Sequence, residues 1–143
     1  MTIKECCIHL DGSDKSGKSS IRRKIIQISN GKILVFVRTY ISQILYSRIY
    51  KRSINERFFV EEMKRAQELG HKFFLITAST KSIEERFIKH NESDMNITDI
   101  DLHKAEINNI VLELESENII ITKIDTTAKS IDESAIEIIE RCK

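Results

Sequence analysis

The chain has 143 residues, of which 31% are charged and 41% are hydrophobic, and its formal net charge is +1. These values are ordinary for a soluble globular protein, and the length suits one domain spanning residues 1–143. No apolar run approaches the roughly 20 residues needed to cross a membrane. The first residues also lack the apolar segment of a signal peptide. We therefore expect a cytoplasmic protein without a membrane partner.

Charge is distributed unevenly along the chain. Residues 1–60 hold twelve Lys and Arg against four Asp and Glu, a net charge of about +8, so the remainder carries about −7. A basic half favours a polyanionic ligand such as a nucleotide. For Arg22, Arg23 and Lys24, however, a solvated helix face is the simpler interpretation. The sequence holds no direct signal for nucleic-acid binding.

Apolar runs alternate with amphipathic segments, which predicts buried strands separated by helices. Asn30-Gly31 is a signal for the end of a helix. Helix starts are predicted by capping boxes at Ser82/Glu85 and Ser130/Glu133, and by Thr98 as a cap. In chain order, the predicted elements are a strand at 3–10, a helix at 18–29, a strand at 32–37, helices at 40–52 and 54–69, a strand at 73–77, a helix from 82 to about 90, a polar loop at 91–96, a helix at 98–115, a strand at 118–122 and a helix at 131–142.

A phosphate-binding motif lies between the first predicted strand and the first predicted helix. Residues 12–20 match the pattern G-x-x-x-x-G-K-[ST]. Glycines let the backbone wrap a phosphate at a helix start, where free N–H groups and the helix dipole favour negative charge. Lys18 is expected to reach the β- and γ-phosphates of ATP, and the Ser19 hydroxyl is expected to bind Mg²⁺. The residues expected to hold the phosphates are Gly12, Ser13, Asp14, Lys15, Ser16, Gly17, Lys18, Ser19 and Ser20.

Strand–helix alternation indicates right-handed crossovers and a parallel sheet. Together with the motif, it predicts an α/β fold of the P-loop NTPase type. This fold is a three-layer sandwich with a small parallel sheet of about four strands and helices on both faces. Ligands bind such sheets at the carboxyl ends of the strands, which is where residues 12–20 lie.

The loop resembles that of thymidylate kinases, E/D-G-x-D-x-x-G-K-S-T. The distinguishing residue is the internal acid, Asp14, which in that family faces the sugar hydroxyl of the phosphate acceptor. A carboxylate inside a phosphate loop repels phosphate, so its presence there requires some other role. The resemblance implies that this role is contact with the sugar hydroxyl of the acceptor. A solvent-facing turn residue remains the alternative interpretation of Asp14.

A second segment, residues 38–46, is similar to the family pattern D-R-Y-x-x-S-x-x-A-Y in the spacing of Arg, Ser and the last aromatic residue. The resemblance implies that Arg38 reaches an acceptor phosphate. Val37 stands where the family has an Asp that serves as base or metal-side carboxylate, and Thr39 replaces a common Tyr. Asp11 is then the best remaining carboxylate near the metal.

Residues 72–95 resemble the segment that carries the kinase lid, where the family has R-x-x-R. The resemblance gives Arg86 the role of neutralising charge on the transferred phosphoryl group. The second arginine appears only as Lys89 or His90, and an amphipathic helix with solvated cations explains those two equally well. Residues 121–127 resemble the end of these kinases, where the adenine lies.

The resemblance therefore implies an ATP- and Mg²⁺-dependent nucleotide or nucleoside kinase, shortened because the family's second strand and acceptor-binding helices have no counterpart. Similarity to deoxynucleoside kinases is nearly as good, so the small-molecule acceptor stays open. A homodimer is a further expectation, through the apolar face of residues 41–49, although plain core packing is the simpler use of that face. A non-catalytic ATP-binding relative with a regulatory or interaction function is the alternative.

A small GTPase-like protein is the third reading. Residues 122–125 match the guanine motif [NT]KxD after a predicted strand. No D-x-x-G follows the phosphate loop, however, because Gly31 and Gly70 are preceded three residues earlier by Ile28 and Gln67. Only 18 residues follow Asp125, too few for the usual final strand and helix.

Overall fold

The computed structural model describes residues 3–12, 16–89 and 97–143. Within them, strands and helices alternate as the sequence predicts. Their bounds are β1 Cys6–Gly12, α1 Lys18–Ser29, β2 Ile33–Val37, α2 Tyr40–Ile49, α3 Glu56–Glu68, β3 Lys72–Thr77, α4 Thr80–Lys89, α5 Ile97–Ser116, β4 Ile121–Asp125 and α6 Ile131–Arg141.

The four strands form one parallel sheet in the order β2-β1-β3-β4. The chain leaves β1 toward β2 on one side and leaves β3 toward β4 on the other. The central pair β1 and β3 is therefore the point at which the strand order reverses, and a ligand crevice is expected at their carboxyl ends. The α/β fold and its parallel sheet are confirmed.

Apolar cores lie on both faces of the sheet, because successive strand side chains point to opposite faces. On β3, Phe74 and Ile76 belong to the core that includes residues of α1 and α6, whereas Phe73 and Leu75 belong to the core under α2, α3 and α5. On β1, Ile8 and Leu10 join the first core. The sheet with helices on both faces is the predicted three-layer sandwich.

Arg48 ties the helices of the second face together. Its guanidinium donates to Glu56 at the start of α3 and to Glu106 and Glu113 of α5. The pKa of Arg48 is raised chiefly by its hydrogen bonds to Glu56, although burial opposes the shift. This network fixes α5 against α2.

Two helices are followed by a residue with left-handed backbone conformation, and the apolar pattern of the sequence does not predict these helix ends. Asn118 has φ 67°, and the N–H of Ile119 donates to Leu114 O at 3.2 Å. The predicted strand at 118–122 is therefore wrong by three residues, because its first part closes α5. Lys51, with φ 52°, similarly follows α2, which ends at Ile49 rather than at residue 52.

Two other predicted boundaries are corrected. The first strand runs from Cys6 to Gly12 rather than over 3–10, because its ladder begins where Cys6 pairs with Ile33. The cap of α4 is Ser79, whose hydroxyl accepts from the N–H of Ser82 at 3.1 Å, so the predicted box at Ser82 is wrong.

The predicted caps of the last two helices have different outcomes. Thr98, the predicted cap of the next helix, lies inside α5 rather than before it. The capping box of Ser130 and Glu133 is confirmed. Within the described ranges, no helix is both long and apolar enough to cross a bilayer.

Candidate active site

The phosphate loop begins at the carboxyl end of β1, where only glycine fits. Gly12 has φ 152°, and a Cβ at this position would lie 2.2 Å from Ile76 O on the neighbouring strand. Gly17, with φ 101°, caps α1. Both glycines therefore have conformations that L side chains rarely adopt. The predicted phosphate contacts Ser13, Asp14 and Lys15 lie outside the described residues.

Lys18 is the first residue of α1 and is only 6% exposed. Its Nζ donates to Gly12 O at 2.9 Å and to Ser16 Oγ at 3.3 Å, so the ammonium lies between the end of β1 and Ser16. Ser19 is exposed beside it, and Ser20 is half-buried. A glycine cradle, a buried ammonium and the N–H groups of a helix start form a donor set that suits a phosphate chain with its Mg²⁺.

Asp11 accepts four hydrogen bonds from the start of α2. Oδ1 accepts from the N–H of Thr39 at 2.8 Å and from the N–H and hydroxyl of Ser42 at 3.2 and 2.7 Å. Oδ2 accepts from the Thr39 hydroxyl at 2.8 Å. Thr39 itself makes no side-chain cap, so the carboxylate of Asp11, 1% exposed, caps this helix from another strand. Its predicted place beside the metal stays a prediction.

Arg38 lies between β2 and α2, at the carboxyl edge of the sheet. It is exposed and has φ 56°, and its N–H donates to Leu10 O at 3.3 Å. Val37, before it, is half-buried and packs against the core of the α1 face. A carboxylate at position 37 would therefore point to the face of the sheet on which α1 begins, which is consistent with the metal-side role that the resemblance gives that position.

The predicted lid segment is helical as far as the structure describes it. Arg86 lies on α4 and is half-buried. α4 packs against α5 through Ile83 and Ile100. Lys89 is the last residue of α4, and His90 lies outside the described residues. The predicted role of Arg86 over the phosphoryl group stays a prediction.

Thr126 connects the phosphate loop to the loop after β4, a link that the sequence did not reveal. Its hydroxyl lies 3.1 Å from Ser16 O and 3.0 Å from Thr77 O, and its N–H donates to Thr77 O at 2.7 Å. Thr126 is 4% exposed. Because 110 residues separate Thr126 from Ser16, no local pattern could have paired them.

The guanine-like motif lies within the last strand of the sheet. Residues 122–125 lie within β4 rather than in the loop that follows a strand. Asp125 Oδ1 accepts from the N–H of Thr127 at 2.9 Å, and this bond chiefly lowers the pKa of the Asp125 carboxyl. The expectation that this motif follows the strand is therefore wrong.

His9 lies on β1 two residues before Asp11, under the site. Its Nε2 is 3.0 Å from His71 Nδ1, and its ring stacks on Phe36 at 5.3 Å. Burial, and secondarily the charge of His71, lowers the pKa of His9 to about 4, although Asp11 acts in the opposite direction. The imidazole is consequently neutral at pH 7.

The parallel sheet, the glycine-led loop after β1 and the buried lysine at the start of α1 define a kinase-like P-loop fold. Two solved structures share the architecture. The YorR protein of Bacillus subtilis, solved in complex with phosphorylated GDP, is 20% identical with a TM-score of 0.75, and the alignment covers 94% of each chain. Thymidylate kinase of Candida albicans is 12% identical with a TM-score of 0.58, covering 99% of this chain and 92% of the other. No protein-family model and no curated protein sequence matches the chain.

Proposed function

We propose that the protein is an ATP-dependent kinase that transfers the γ-phosphoryl group to a nucleoside or nucleotide. The observation that carries this proposal is the buried Lys18 ammonium, which is held between Gly12 and Ser16 of the phosphate motif. The architecture shared with thymidylate kinase and YorR supports it. Positioning and charge neutralisation supply most of the rate acceleration in such reactions.

The ATP side of the site is assigned to the phosphate loop. When bound, ATP with Mg²⁺ supplies the phosphoryl group, and the metal neutralises part of its charge. The residues proposed to hold it are Gly12, Ser13, Asp14, Lys15, Ser16, Gly17, Lys18, Ser19 and Ser20, with Ser19 as the metal ligand. Lys18 would exchange its bond to Gly12 O for phosphate oxygens.

The acceptor side is assigned to the edge of the sheet formed by the ends of β1 and β2. Arg38 is exposed there and is proposed to hold the acceptor. Asp11 fixes the start of α2, and we assign it this positioning role rather than a role as a metal ligand. Arg86, on α4, is proposed to neutralise charge on the transferred group.

Formation of ADP with a panel of nucleosides and nucleoside monophosphates tests the proposal. Lys18→Ala is expected to lower kcat/KM by at least about 100-fold, because it removes a cation at the transferred phosphate. Lys24→Ala is the matched control on the same helix. Lys24 pairs with the exposed Asp132 at 3.4 Å, and the loss of such a surface ion pair changes little. Equal rates for wild type and Lys18→Ala would refute the proposal.

A non-catalytic ATP-binding protein is the second candidate. Two observations favour it: Val37 brings no carboxylate to the site, and the carboxylate of Asp11 is engaged with α2. This candidate predicts that ATP raises the melting temperature while no acceptor is phosphorylated. Transfer restored by Val37→Asp would support it, and robust transfer by the wild type would exclude it.

A further inference from the structure

Two cysteines that are far apart in the sequence meet on the face of the sheet that α1 and α6 cover. Cys6 begins β1 and points to the same face as Ile8, so its side chain packs against the core of that face. Cys142 follows α6, is 9% exposed and belongs to the same core. The two thiols form a side-chain hydrogen bond. The fold therefore places them in direct contact.

Both cysteines are held in place by regular secondary structure. The N–H of Cys6 donates to Lys32 O at 3.1 Å, where the ladder between β1 and β2 begins. The N–H of Cys142 donates to Ile139 O at 3.1 Å and closes the last turn of α6. A disulfide requires side chains that converge from Cα atoms about 4.4–6.8 Å apart. Because these thiols already touch, rotation about their side-chain bonds brings the sulfurs together while β1 and α6 stay in place.

Cys7, the neighbour of Cys6 in β1, points to the other face of the sheet, because successive strand side chains alternate. It pairs with Leu34 of β2, whose side chain is 55% exposed on that face. Cys7 is half-buried, as Cys6 is, but the sheet lies between it and Cys142. The geometry therefore selects Cys6, and not Cys7, as the partner of Cys142.

We propose that Cys6 and Cys142 form a reversible disulfide, which fastens α6 to β1 when the protein meets an oxidising small-molecule disulfide such as glutathione disulfide. The Cys6 thiolate attacks one sulfur of glutathione disulfide and releases one reduced glutathione. The Cys142 thiol then loses its proton and attacks Cys6 Sγ, which forms the new bond and releases the second reduced glutathione. Glutathione disulfide accepts the two electrons that the cysteines lose, and the two thiol protons end on the two glutathione molecules.

The two thiols have different parts in this exchange. Burial, and secondarily the adjacent Cys6 thiol, raises the pKa of Cys142 to about 12, although Lys72 acts in the opposite direction. Cys142 is therefore a poor first nucleophile at neutral pH, whereas Cys6 is half-buried and open to attack from solvent. The second attack is intramolecular, and this proximity offsets the scarcity of the Cys142 thiolate. The bond closes a long loop, which lowers the entropy of the unfolded chain and stabilises the fold.

Incubation of the full chain with glutathione disulfide, followed by alkylation in denaturant and peptide mapping by mass spectrometry, tests the pair. We expect one intramolecular bond that joins the peptides of Cys6 and Cys142. The melting temperature should rise by at least about 5 °C, and dithiothreitol should reverse both changes. Cys7→Ala is the matched control and should behave as the wild type does. Cys142→Ala should stop at a mixed disulfide between Cys6 and glutathione, without that rise.

Three results with the wild type would overturn the proposal: a bond between Cys6 and Cys7, a mixed disulfide at Cys6 that never closes, or three cysteines that all remain open to alkylation. A bond between Cys6 and Cys142 that leaves the melting temperature unchanged would refute the fastening of α6. Where Cys142→Ala does not fold, Cys6→Ala decides by the same measurements, and its melting temperature should not respond to glutathione disulfide.

Discussion

Replacement of Asp11 tests whether this carboxylate positions α2 or binds metal. In Asp11→Ala the buried N–H groups of Thr39 and Ser42 lose their acceptor. The loss of this cap strands two donors, and each stranded donor costs about 1–3 kcal/mol. We therefore expect the free energy of unfolding to fall by about 4 kcal/mol, which lowers Tm by roughly 10 °C for a chain of this size. Asp11→Asn keeps an oxygen for the three Oδ1 bonds and is expected to lose only about 1 kcal/mol.

Urea unfolding followed by circular dichroism measures both variants. The positioning role also predicts that Asp11→Asn needs the same Mg²⁺ concentration as wild type for half-maximal transfer. A metal ligand would behave differently: Asp11→Asn would stay stable but would need far more Mg²⁺. Equal destabilisation by Asn and Ala, or a loss below about 1 kcal/mol for Ala, would refute the capping argument.

Three further predictions concern the neighbouring residues. Gly12→Ala is expected to abolish ATP binding in calorimetry, because its Cβ would lie 2.2 Å from Ile76 O. Gly70→Ala is the control, because its φ of 93° is also unfavourable for alanine but nothing lies within 4 Å of its Cβ, and it should bind ATP normally. Normal ATP binding by Gly12→Ala would contradict the argument that only glycine fits at the start of the phosphate loop. Because the pKa of His9 is lowered to about 4, the unfolded chain binds more protons than the folded chain below pH 6.5, and the free energy of unfolding should decrease by on the order of 2 kcal/mol as the pH falls from 7 toward 4. In urea titrations, His9→Leu should lose that part of the decrease. An unaltered pH profile of His9→Leu would refute the assignment to His9. Thr126→Val removes the hydrogen bond from the Thr126 hydroxyl to Ser16 O, which is worth about 1 kcal/mol. ATP affinity should therefore weaken about fivefold. An unchanged Kd for ATP would show that this hydrogen bond is not needed for binding.

Local signals predicted much of the fold. The Asn30-Gly31 pair ends α1 at Ser29, as predicted, because Asn30 adopts φ 54° and caps the last carbonyls. The capping box at Ser130 correctly predicts the start of α6, because both of its hydrogen bonds lie within four consecutive residues. β4 was misplaced because the apolar run begins at Ile119, which belongs to the core under α5 rather than to the strand. Hydrophobicity cannot separate those two uses.

The candidate site was predictable where a motif spans consecutive residues and unpredictable where strands bring distant residues together. The loop and Lys18 follow from one motif. The bonds of Asp11 to Ser42 span 31 residues, and the bond of Thr126 to Ser16 spans 110. These contacts depend on strand order and register, which no local pattern encodes. Arg38 and Arg86 were proposed from the family resemblance, and their roles stay predictions.

The most direct test of the account is transfer of label from γ-labelled ATP to an acceptor, with Mg²⁺, wild type and Lys18→Ala, and chromatography of the products. The account predicts label on one nucleoside or nucleoside monophosphate with the wild type and none with Lys18→Ala. Label that appears only as inorganic phosphate, or on no acceptor at all while ATP still binds, would contradict it.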